Sequence, residues 1–167
     1  MAIRPIIKFG HPVLHQKAAP VPEINEEILS LARDMVETMH RAPGIGLAAP
    51  QVGVSQCLIT VDLSVGEKPE ELIIMINPVI LEAEGETTEE EGCLSVPEIR
   101  EKVTRPARVL VRGIDLKGKE IELEAHDFLA RVFCHELDHL EGKLFLDRLS
   151  PLKRSLLRKK LRRQLNL

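Results

Sequence analysis

The chain has no tryptophan and no tyrosine, and its only aromatics are four phenylalanines, 2% of 167 residues. A stacking platform for single-stranded nucleic acid, which needs exposed rings, therefore has little to be built from, and the core must come from Leu, Ile, Val and Ala. No window approaches the ~18 consecutive apolar residues of a membrane-spanning helix. Cysteine is scarce and odd in number (Cys57, Cys93 and Cys134), which argues against a disulfide framework and leaves reduced thiols or metal ligation as the uses of sulfur. The apolar run within Met1–Gly10 is too short for a signal-peptide core, so the expectation is a cytoplasmic protein.

Apolar residues at 44% and charged residues at 29% instead place the chain among globular proteins. Its length suits one domain spanning 1–167. Net charge is −3, but eight of the 23 basic residues fall in Arg148–Leu167, which holds no acid, leaving 15 against 26 acids before it. An acidic body thus carries a basic tail, and such a tail suits an anionic partner.

Asn25 is placed to cap a helix opening with Glu26 and Glu27, in which Ile28, Leu31, Ala32, Met35 and Met39 form a core-facing stripe up to the break at Ala42-Pro43-Gly44. Strand-like runs follow at 57–61, 72–76 and 109–114. Asp115–Gly118 turns the last of these into 120–125, where Ile121, Leu123 and Ala125 alternate with acids. A helix is expected over about 127–141, stopped by Gly142, and another over about 150–165, capped by Ser150 with Pro151 in its first turn. The order implies an α+β fold of mostly antiparallel sheets around a central helix, with an N-terminal helix and a basic C-terminal one.

The central helix carries His135-Glu136-Leu137-Asp138-His139. Residues four apart share a helix face, so two imidazoles can grip one ion while Glu136 projects beside it as a base. A catalytic site of this kind takes three protein ligands and keeps a position for water. The extended H-E-x-x-H-x-x-G-x-x-H pattern fails because Phe145 stands where its third His belongs. Downstream of Glu141 the only acid is Asp147, so the third ligand must lie upstream. Glu91-Gly92-Cys93-Leu94-Ser95-Val96-Pro97 presents a thiol at a turn or strand end, and Cys93 is the candidate. Cys134 sits about 100° around the helix from His135, off the ligand face; it and Cys57 read as buried thiols. A third block, Gly44-Ile45-Gly46-Leu47-Ala48-Ala49-Pro50-Gln51, combines close-approach glycines with an amide donor and lacks the Lys-Ser/Thr of a phosphate loop.

G-I-G-L-A-A-P-Q, E-G-C-L-S-V-P and H-E-L-D-H, in this order and spacing, resemble the peptide deformylases of the bacterial type with a helical C-terminal tail, and the resemblance covers essentially the whole chain. It implies a hydrolase that removes the formyl group from the N-terminal formylmethionine of new polypeptides. Cys93, His135 and His139 would hold one divalent ion, usually Fe2+ in the family, with Zn2+, Ni2+ or Co2+ also accommodated. Glu136 would be the base, and Gln51 and the Leu94 N–H would stabilise the developing oxyanion. Val132 and Ile45, with Phe128 nearby, would line a methionine pocket. The Gly46 and Gly92 backbones would pair with the peptide, and Arg100 would contact it further along. Leu152, Leu156, Leu157, Leu161 and Leu165 fall at helical spacing in the tail and would dock on the body or on a partner, and the resemblance implies that the basic tail meets the ribosome; neither a membrane nor a specific nucleic-acid sequence is implied. Two other readings stay open on the residues alone: a deacylase or aminopeptidase for another small N-acyl group, and a structural Zn2+ site closed by a further thiol.

Overall fold

The computed structural model describes residues 2–167. Helix α1 (Glu26–Arg41) starts where Asn25 Oδ1 accepts from the Ile28 N–H at 3.0 Å. Strands β1 (Gly46–Ala48), β2 (Leu58–Val61), β3 (Ile73–Glu84), β6 (Arg108–Ile114) and β7 (Glu120–His126) form one antiparallel sheet in the order β1-β2-β3-β6-β7. Strands β4 (Thr87–Cys93) and β5 (Val96–Arg105) form a separate two-stranded sheet. Helix α2 (Asp127–Leu140) follows β7 directly, and α3 (Pro151–Gln164) closes the chain behind a Ser150 cap. The architecture is the α+β arrangement the sequence implies.

Strand β2 shows why the fold holds together. All four of its residues are buried, because Ile59 and Val61 face the cluster that includes Ala130, Val132 and Phe133 of α2, while Leu58 faces the stripe of α1. A strand covered on both sides reads as an unbroken apolar run. All five stripe residues of α1 are at most 3% exposed.

Gly142 ends the metal-motif helix with φ +77; a Cβ there would lie 2.8 Å from the His15 backbone, so both conformation and space call for glycine.

Several elements differ from the sequence reading. Strand β3 runs to Glu84, eight residues past Ile76. Its outer half, Val79–Glu84, is exposed, and no alternation of burial marks it. The hairpin β4–β5 falls where only a turn or strand end was expected, because Thr87–Glu91 is too acidic to show a strand pattern. On α3, Leu161 is fully buried and Leu157 and Leu165 pack against the cluster of Phe9, Val96, Ile99 and Phe145. Leu152 (72% exposed) and Leu156 (57%) do not dock; they lie on the outward side of the first two turns. Lys153–Glu101 (3.1 Å) and Arg158–Asp147 (2.7 Å) add to the seating of α3. Among the described residues no helix is long and apolar enough to cross a membrane.

Candidate active site

Three elements supply the site: the loop after α1 with β1, the β4–β5 hairpin, and α2. Cys93 ends β4 and pairs with Val96, so Leu94-Ser95 is a two-residue hairpin turn that carries the thiol to the face of α2. Cys93 Sγ stands 3.4 Å from His139 Nε2, which is 3.3 Å from His135 Nε2. Cys93, His135 and His139 offer ligand atoms that all lie within 4.8 Å of one another, among the described residues the one such group of His, Cys and acids. Around a tetrahedral ion with nitrogen at ~2.0–2.1 Å and sulfur at ~2.3 Å, two nitrogens stand about 3.4 Å apart and a nitrogen and sulfur about 3.5 Å. The donor set fits a divalent ion in both chemistry and spacing. Cys57 and Cys134 lie elsewhere, with Cys134 buried and both thiols pushed up by burial.

Charge in the site is arranged around Glu91. Its Oε1 meets His135 Nδ1 at 2.9 Å, which turns His135 Nε2 toward the thiol. Burial alone would raise the Glu91 carboxyl, but the hydrogen bonds and charges of His135 and Arg105 outweigh it and hold the group down at about 2. Burial opposes a charge on His135, yet the bonds to Cys93 and Glu91 keep that imidazole well above its ordinary value. His139, 1% exposed and facing both His135 and Arg105, is held well below. The two imidazoles, 3.3 Å apart, thus do not both carry a proton.

Glu136 is 3% exposed, and among the described residues its Oε1 has no hydrogen-bond partner. Burial pushes its carboxyl up to about 7, with the negative charge of Glu91 adding to the rise and His135 opposing it. A carboxyl poised there can take and return a proton near neutrality. Gly46 is the reason it fits: a Cβ at that position would lie 2.5 Å from Glu136 Oε2.

Gln51, 2% exposed, accepts the Ala48 N–H on Oε1 at 3.0 Å and donates through Nε2 to Ser95 Oγ at 3.1 Å and Cys93 Sγ at 3.6 Å. An N-terminal strap ties this loop to the hairpin. The Ile7 N–H donates to Gln51 C=O (2.7 Å), the Phe9 N–H to Ser95 C=O (2.8 Å), and Lys8 Nζ to Leu94 C=O (2.9 Å).

These groups border a cavity of about 430 Å3. Ile45, Gly46, Gln51, Gly92, Cys93, Leu94, Arg100, Val132, His135 and Glu136 all line it, as does Phe128, while His139 sits behind the lining. Val132 is 5% exposed beside Gly46. Arg100 lies over Gly92, its Nη1 2.9 Å from where a Cβ would sit, and donates to Glu90 at 3.1 Å. Sequence reasoning missed Ser95 and the buried ionic partners Glu91, Arg105, Arg131 and Asp138. Only Arg131, a lone charge in the apolar run Phe128–Phe133, stood out in the sequence; Glu91, Arg105 and Asp138 lie among other charges and named no partner.

A thiol, two imidazoles and a buried carboxylate around one cleft are the equipment of a hydrolase built on a metal ion. A family profile for polypeptide deformylases matches residues 3–155. A peptide deformylase of Acidobacterium capsulatum is 52% identical over 163 residues, 98% of this chain and 96% of that protein. One from Thermodesulfovibrio yellowstonii is 52% identical over 160 residues, 96% of this chain and 97% of that one. The crystal structure of a peptide deformylase from Legionella pneumophila superposes with a TM-score of 0.92 at 43% identity, covering 99% of this chain and 96% of that one. The chain belongs to the polypeptide deformylase family, whose activity is the hydrolytic removal of N-formyl groups from nascent peptides.

Proposed function

We propose that this chain is a metal-dependent hydrolase that removes the formyl group from the N-terminal formylmethionine of newly synthesised polypeptides in the cytoplasm, releasing formate. The observation that carries the reading is the meeting of Cys93, His135 and His139 at ligand spacing beside the orphaned Glu136 carboxylate. The same pairing argues against a closed structural ion, since Cys57 and Cys134 lie outside the group.

Cys93, His135 and His139 would hold one divalent ion, with Fe2+ the leading candidate and Zn2+, Ni2+ or Co2+ able to replace it. Such an ion would supply Lewis acidity toward water and the formyl carbonyl. Glu136 takes a proton from the attacking water. Water oxygen then bonds to the formyl carbon, the carbon–nitrogen bond breaks, and Glu136 returns the proton to the departing amine. Gln51 Nε2 and the Leu94 N–H donate to the formyl oxygen as it gains charge; the long Gln51 contact to Cys93 Sγ is the one the substrate can displace. Ile45 and Val132 bear on the methionine side chain, the Gly46 and Gly92 backbones pair with the peptide, and Arg100 contacts it further along.

The exposed Lys153, Lys159, Lys160, Arg162 and Arg163 of α3 give the ribosome an RNA-binding face, which accounts for a basic tail on an acidic body. Because Leu161 is buried, charge reversal is a cleaner test than truncation. Replacing Lys159, Arg162 and Arg163 with Glu lowers cosedimentation with ribosomes while peptide hydrolysis persists; undiminished cosedimentation overturns this part.

The test of the reaction is formate release from a formyl-Met tripeptide by oxygen-free, metal-loaded protein, with the acetyl-Met peptide in parallel. Rapid release from the formyl peptide alone is expected. Equal turnover of the acetyl peptide points to a general deacylase, and no release by protein holding one ion overturns the assignment.

A further inference from the structure

Four charged side chains that the reaction does not use run from the candidate metal site to the opposite side of α2. Glu91 Oε1, which meets His135 Nδ1 at 2.9 Å, also accepts from Arg105 Nη2 at 3.0 Å, and Glu91 Oε2 accepts from Arg105 Nε at 2.9 Å. Arg105 then donates through Nη1 to Asp138 Oδ2 at 2.6 Å. Asp138 in turn receives Arg148 in a two-pronged pair, Nη2 to Oδ1 at 2.6 Å and Nε to Oδ2 at 3.0 Å. The side chains of Glu91, Arg105 and Asp138 are 5%, 3% and 10% exposed, whereas Arg148 is 44% exposed, in a second cleft on the far side of the helix. Every link is a charge-assisted bond, and two are forked guanidinium–carboxylate pairs, which fix orientation as well as distance.

We propose that Arg148 is a positioning residue for His135, acting through Asp138, Arg105 and Glu91; this rests on the metal-site reading above. A ligating imidazole is oriented by what its other ring nitrogen binds, and such outer partners carry much of a site's affinity. Glu91 presents the acceptor to His135, but Glu91 is aimed by the plane of the Arg105 guanidinium. That plane is set at one end by Glu91 and at the other by Asp138. Asp138 rides on α2, three residues after His135, and among the described residues only Arg148 engages its Oδ1. Without Arg148 that oxygen loses its partner, Asp138 can rotate about its side chain, and the angle at which Arg105 holds Glu91 is no longer fixed from outside. Arg131 steadies Glu91 Oε2 at 2.7 Å, so the chain loosens without collapsing. Position 148 is therefore a surface handle on the geometry of a buried ligand, held by the short turn Phe145–Arg148 that leads into α3.

The experiment measures the rate at which Ni2+-loaded protein loses its ion to excess chelating dye, with the melting temperature of the metal-free forms recorded alongside. Arg148→Ala is expected to release the ion about tenfold faster, the low end for loss of an outer partner, and Arg148→Lys, which restores charge but not the fork, to fall between. In a Glu91→Gln background the Arg148→Ala step should change release by less than twofold, because the link it acts through is already broken. Asp138→Asn takes the place of Glu91→Gln if that variant does not fold. Release unchanged by Arg148→Ala overturns the proposal. So does a tenfold effect that persists in the second background, which would mark Arg148 as a general stabiliser. Failure of the metal reading shows separately, as wild-type protein that takes up no equimolar ion and is indifferent to Cys93→Ala.

Discussion

Replacing Gly46 with alanine should separate catalysis from stability more cleanly than any change to a charged residue. The backbone at Gly46 is not in the left-handed region, so alanine meets no conformational objection. The new methyl carbon would lie 2.5 Å from Glu136 Oε2, 3.0 Å from its Cδ and 3.1 Å from Val132 Cγ1. With ordinary carbon contacts at about 3.5–4.0 Å, the carboxylate must retreat by roughly 1 Å. A misplacement of that size at a reacting group costs on the order of 10²-fold in rate, or about 2.7 kcal/mol of barrier. Folding should barely change, since the contact falls on a side-chain end and a Gly→Ala change at a permitted conformation gains about 0.4–1 kcal/mol from the unfolded chain. The assay is formate release against formyl-Met peptide concentration, with melting curves on the same samples. Gly113→Ala provides the opposite pattern: its Cβ would fall 2.2 Å from Met75 Cγ and 3.1 Å from Ile76 C=O, in the core, so melting temperature drops while kcat holds. A Gly46→Ala protein that melts like wild type and keeps kcat within about threefold would refute the placement of Glu136 as the proton carrier.

Glu136→Gln should lower kcat by about 10²–10⁴ without loss of bound metal, measured by turnover and metal analysis. In the metal-free protein the same change should raise the melting temperature, and more at pH 8 than at pH 5, because a carboxyl raised to about 7 costs stability once pH exceeds its unfolded value near 4.5. Arg131→Met should destabilise by about 3–5 kcal/mol in urea unfolding, since Arg131 is 2% exposed and holds Glu91 Oε2, Val103 C=O and Thr87 C=O at 2.7–2.8 Å. Acid should weaken the fold through Glu91: a carboxyl held at about 2 against 4.5 when unfolded contributes on the order of 3 kcal/mol, whole above pH 4.5 and lost as pH falls toward 2. Urea midpoints at pH 7, 4 and 3 check this, and a flat profile would contradict it.

Elements whose burial follows a period were legible in the sequence. The stripe of α1, the alternation of β7 and the caps of α3 each have a local cause, and each lies within a residue or two of its expected bounds. Strand β3 beyond Ile76 and strand β4 were not legible, because they are held by pairing with β6 and β5 and not by an apolar pattern of their own. The same division runs through the site. His135, Glu136 and His139 announce themselves by helical spacing, and Cys93 by being the upstream thiol at a turn. Glu91 sits two residues from that thiol, yet it reads as one more acid in Glu89-Glu90-Glu91 until Arg105 and Arg131 are seen to close on it from β5 and α2.

The hairpin that delivers Cys93 to α2 joins residues 46 positions apart. An ion held by both ends acts as a cross-link, and closing a loop of that length restricts the unfolded chain by about 4 kcal/mol in the chain-entropy treatment used for disulfides. An ion there would give the chain, without oxidising any thiol, the kind of staple that secreted proteins draw from paired cysteines. The staple is reversible. Its strength would follow the supply of the ion, so metal scarcity would remove one tie between hairpin and helix and leave the Glu91–Arg131 and Arg105–Asp138 pairs to hold the two together.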